Sequence, residues 1–133
     1  MEQAGVIVAQ SLDMFEDYVK IFTMLDGRTV GGRRVAVLSN AGFECASVLD
    51  RLYALEAAEL SEATKRRLRA GLPPIAHADN PIDATPMAET PQFVQAAEAL
   101  LDDSGVDALI VSPIPVTPAP AALPRRSCGC SLA

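Results

Sequence analysis

Val35-Ala36-Val37-Leu38-Ser39-Asn40-Ala41-Gly42 decides the fold. Four apolar residues without polar alternation, entered from Gly31-Gly32 and Arg33-Arg34, suit a strand covered on both faces. Ser39 to Gly42 then reads as a tight strand-to-helix turn, with Asn40 as an available cap and a helix continuing from Phe43 to Leu55. Upstream, Val6 to Ala9 reads as a short strand. Ser11 offers an N-cap to a helix whose Leu12, Phe15, Val19, Phe22 and Leu25 form one apolar stripe, ended by Asp26-Gly27.

Downstream the alternation continues. Ala57 to Leu60 reads as a weak strand, and Ser61 starts a helix that closes at Gly71 before Pro73-Pro74. Ile75 to Ala88 reads as loop. Thr90 is the expected N-cap of a helix with Pro91 at its first position, running to about Leu101. Asp102 to Gly105 then turns the chain into a last strand, Val106 to Ser112. Strands alternating with helices predict an α/β unit with a parallel sheet and right-handed crossovers. Three or four strands are fewer than a full doubly wound domain uses, so the unit reads as incomplete.

Composition narrows the function. The chain has 133 residues, half of them apolar, with four Phe, two Tyr and no Trp, so Ala, Val, Leu and Ile must build the core of one domain. Its net charge of -6 lacks the basic footprint that neutralises a phosphate backbone, which argues against nucleic-acid binding. No apolar run approaches the roughly 20 residues that span a bilayer. Met1 to Gly5 has no basic stretch of the signal-peptide kind, so the expected location is cytoplasmic, away from membranes. Five of the ten prolines lie between Pro113 and Pro124. We therefore expect a domain over 1–117 and a disordered tail over 118–133.

Candidate chemistry concentrates at Ser39 to Gly42. Ligands of open α/β sheets collect where loops leave the carboxyl ends of strands, and a helix N-terminus there offers free N–H groups and partial positive charge to an anion. An ordinary structural turn fits the same spacing. No phosphate-loop lysine and no G-x-G-x-x-G are present. Lys65, Arg66, Arg67 and Arg69 read as a solvated helix face, and His77, the single histidine, as surface polar. Cys128 and Cys130 give two ligands, too few for a metal site. The terminal Cys130-Ser131-Leu132-Ala133 mimics a prenylation box only in form, since Ser131 is not aliphatic.

Five segments in order resemble the NDP-forming (ADP-forming) acyl-CoA synthetases, the acetate-CoA ligase family. They are Val35 to Gly42, Glu59 to Lys65, Leu72-Pro73-Pro74, Asn80-Pro81-Ile82-Asp83 and Val106 to Val111, with Gln3 to Ile7 as lead-in. The likeness is to that family's succinyl-CoA-synthetase-like flavodoxin domain, which implies an incomplete flavodoxin-like (Rossmann-like) three-layer α/β unit with a parallel sheet. It implies a whole enzyme that converts acid, CoA and ATP to acyl-CoA, ADP and phosphate, using Mg. Phosphate would travel through a histidine in a Ser-His-Thr-Gly loop and on to an ATP-grasp domain. No such loop occurs here, and His77 does not match it, so the chain alone should hold no catalytic residue, no metal and no cofactor. Its implied contribution is a phosphate site at Asn40, Ala41, Gly42, Phe43 and Glu44. Where the family commonly has a second Gly and a Pro, this chain has Phe43-Glu44. A carboxylate there suits the helix dipole but repels an incoming phosphate. The implied partners are CoA-binding and ATP-grasp domains or subunits, and self-association as a homo-oligomer is compatible with the pattern. A non-catalytic phosphate- or CoA-binding module working with partner subunits is the alternative.

Overall fold

The computed structural model describes residues 6–27 and 31–115, and the chain divides into two compact units at Gly31/Gly32. The first unit is built on α1 (Leu12–Leu25). Ser11 caps it by accepting from the Met14 N–H, and Gly27, at φ 69°, takes the left-handed conformation that ends the turn beyond Asp26. Val6 to Ala9 form no strand, a correction to the sequence reading: four apolar residues gain strand geometry only when a neighbour completes their ladder. The stripe along α1 is exposed at every expected position.

The second unit contains the sheet. Its elements are β1 (Arg34–Ser39), α2 (Gly42–Leu49), β2 (Glu56–Ala57), α3 (Glu62–Gly71), β3 (Ile82–Asp83), α4 (Thr90–Leu101) and β4 (Ala108–Ser112). All strands are parallel and all pair with β1. β4 runs along one side in full register, from Val35↔Ala108 to Ser39↔Ser112. The other side is shared, with β2 beside Arg34 and Val35 and β3 beside Leu38 and Ser39. This is an open α/β unit of the incomplete flavodoxin-like kind.

Asn80 fills the gap between the two short strands. Its side chain accepts from the Val37 N–H at 2.9 Å and donates to the Val35 carbonyl at 2.9 Å and the Ala58 carbonyl at 3.0 Å. One amide thus does the work of a ladder rung where the backbone has none. The following Asn80–Pro81 peptide is cis.

The pleat sorts β1 between two layers. Ala36 and Leu38 join Leu60, Leu68, Ile82, Phe93, Ala96 and Leu100 in the main core under α3 and α4. Val35 and Val37 point to the opposite face and are also buried, as is Cys45 of α2. Burial on both faces is what an unalternated apolar run requires.

Several boundaries differ from the sequence reading: β2 is Glu56–Ala57 instead of Ala57 to Leu60, and β4 starts at Ala108 instead of Val106. The helix after Gly42 ends at Leu49 instead of Leu55, with Asp50 as its C-cap and Tyr53 in the left-handed region at φ 50°. The stretch 75–88 is not all loop, because β3 lies inside it. The N-cap of α4 is Glu89, which forms a reciprocal capping box with Gln92, while Thr90 is already helical. The tail 118–133, including Cys128 and Cys130, lies outside the described residues.

Candidate functional site

Three parallel strands end together at one edge of the sheet, where β1, β3 and β4 deliver Ser39, Asp83 and Ser112 in register. Ser39 is fully buried, and its hydroxyl donates to the Ser112 carbonyl at 2.6 Å while accepting from the Ala41 N–H at 3.2 Å. The hydroxyl sets the chain's exit from β1 and turns it toward α2. Asn40 fixes the neighbouring segment: its Nδ2 donates to the Ile114 carbonyl at 2.8 Å, and its Oδ1 accepts from the Ile114 N–H at 2.7 Å.

Helix α2 starts from this turn with Ala41 as N-cap and no side-chain hydrogen bond capping it. The first intrahelical bond is Cys45 N–H to Ala41 C=O at 3.3 Å, so the N–H groups of Gly42, Phe43 and Glu44 head the helix without an intrahelical acceptor. Their dipoles point outward at an exposed Gly42 and an exposed Phe43. The other helices among the described residues are capped by side chains: α1 by Ser11, α3 by Ser61, and α4 through Glu89 and Gln92.

Two carboxylates flank the opening. Glu44 in the first turn accepts from the Ser112 hydroxyl at 2.9 Å, which ties it to the end of β4. Asp83 accepts from the Thr85 N–H at 2.9 Å, and a Cβ placed on Gly42 would lie 3.0 Å from its Oδ2. A side chain at position 42 would crowd that carboxylate, so glycine keeps the backbone approach open. Behind them, burial pushes the Cys45 thiol above its ordinary pKa and the charge of Asp83 adds to the shift. The thiol therefore stays protonated, donating to the Ile82 carbonyl at 3.5 Å.

All five residues singled out from the sequence fall in this turn and first helical positions, but they do different things. Asn40 and the Ala41 N–H are spent on internal bonds, leaving the N–H groups of Gly42, Phe43 and Glu44 facing the opening. Sequence reasoning placed Ser39 in the candidate turn without giving it a role, and missed Asp83 and Ser112 as its neighbours. The usable signal was a polar residue closing an apolar strand, since such residues land at the carboxyl edge of a parallel sheet.

The remaining candidates stay outside it. Lys65 pairs with Asp79 at 2.8 Å and Glu62 at 3.5 Å, and Arg67 pairs with Asp102 at 3.1 Å, so part of the basic run is engaged on the protein itself. His77 is exposed, with Nδ1 3.4 Å from the Asp79 carbonyl oxygen. Among the described residues no group of three or more His, Cys, Asp or Glu could hold a metal ion, and no helix is long and apolar enough to cross a membrane.

Known proteins give the chain a context. No family model matches the chain. The alpha subunit of ADP-forming acetate–CoA ligase II from Pyrococcus furiosus is 35% identical over 111 residues, covering 82% of this chain and 24% of that subunit. A crystal structure from Pyrococcus horikoshii superposes with a TM-score of 0.74 at 32% identity, over 84% of this chain and 26% of that one. The chain is related to one segment of the ADP-forming acyl-CoA synthetases. A synthetase from Candidatus Korarchaeum cryptofilum, described as a dinucleotide forming acetyl-coenzyme A synthetase, superposes at 0.70 with 28% identity, over 84% of this chain and 24% of its own. That synthetase has also been solved in complex with phosphate and ADP, with the same score, identity and coverage. The chain thus spans about a quarter of the length of the proteins it matches.

Proposed function

We propose that this chain is the flavodoxin-like domain of an ADP-forming acyl-CoA synthetase and that it lends the N-terminus of α2 to the enzyme's phosphate site. The observation that carries the reading is the uncapped start of α2 at the carboxyl edge of the sheet, where three N–H groups remain available to an anion. An incoming phosphate would be met by the N–H groups of Gly42, Phe43 and Glu44. Ser39 and Asn40 would hold the turn rigid without touching it. Binding and orienting the phosphoryl group is the domain's whole share of the chemistry.

The transferred histidine, the CoA site and the nucleotide site with its Mg belong, on this reading, to partner domains or subunits in the cytoplasm. Glu44 moderates the site. Its bond to Ser112 fixes the carboxylate beside the helix start, where it weakens phosphate binding without abolishing it.

The test is a chimaera in which residues 3–117 replace the matching segment of the Pyrococcus furiosus subunit, assayed with its partner subunit for acetyl-CoA-dependent ATP formation. Retained turnover supports the reading. A folded, assembled chimaera without turnover contradicts it. The chain by itself should show no such turnover, and His77→Ala in the chimaera should leave the rate unchanged.

A further inference from the structure

We draw no further inference here: the strongest candidate, the apolar groove that Ile7, Phe15, Val19 and Phe22 line along α1, is an unpartnered surface, and nothing in the structure shows what covers it.

Discussion

The two ends of the sheet are built from opposite materials. At the amino end, Arg34 and Asp107 clamp β1 to the approach of β4: Nε and Nη2 of Arg34 reach Oδ2 and Oδ1 at 2.9 and 2.7 Å. The Arg34 N–H also donates to Asp107 Oδ2 at 2.9 Å, and a side chain on Gly32 would collide with that carboxylate. The Arg34 guanidinium holds Asp107 down to about 2. At the carboxyl end no cation among the described residues answers the carboxylates of Glu44 and Asp83 with an ion pair, and the contacts are hydroxyls, an amide and backbone. Charges are paired off at the amino end, and three N–H groups head α2 at the carboxyl end, where we propose that an anion binds.

The harshest way to break this arrangement is through the residue that fills the gap midway along β1. Asn80→Ala removes partners from the Val37 N–H and the Val35 and Ala58 carbonyls. At about 1–3 kcal/mol for each buried group left unsatisfied, we expect a loss of at least about 3 kcal/mol in urea denaturation. Asp103→Ala comes next. Asp103 is buried and accepts from the Ser61 and Gly105 N–H groups at 2.9 Å each, which ties the start of α3 to the turn before β4. Its loss should cost about 2 kcal/mol, read by the same method.

Acid should strip the amino end selectively. Burial opposes the Asp103 charge, but hydrogen bonds from Thr64, Gly105 and Ser61 outweigh it and hold its pKa at about 2, like that of Asp107. Both folded values lie below the ordinary 3.8, so their stabilisation is complete above that pH and is lost as pH falls from about 4 towards 2. Melting temperature followed from pH 6 to 2 should fall most steeply there, and Asp107→Asn should flatten the fall. Ser112→Ala, at the other end, should change stability by less than about 1 kcal/mol. It should alter phosphate binding instead, because it frees the Glu44 carboxylate.

The sequence made the long elements legible because their signals are local. The run 35–38 needs two covered faces, and Ser61 and Gly71 punctuate α3 by side-chain chemistry alone. β3 was not legible. Ile82 and Asp83 carry no strand pattern of their own, and only the neighbouring β1 makes them a strand. The end of α2 was hidden for a similar reason, since no glycine or proline marks Leu49 and the chain turns at Asp50 and Tyr53 instead. The turn from Asn40 to Gly42 could be found as a candidate, but not that Asn40 faces inward. That depends on Ile114, 74 residues away in the chain.

The central claim is that the start of α2, alone among the helix starts of the described residues, is left open for an anion. Titrating inorganic phosphate into the isotopically labelled chain and following backbone amide resonances tests it directly. We expect saturable shifts confined to Gly42, Phe43 and Glu44, none at the side-chain-capped starts of α3 and α4, and tighter binding in Glu44→Gly. One charge removed from a helix start is worth roughly 0.3–1 kcal/mol, or a few-fold in affinity. Absence of shifts at those amides in both the parent and Glu44→Gly, or equal shifts at every helix start, would contradict the claim.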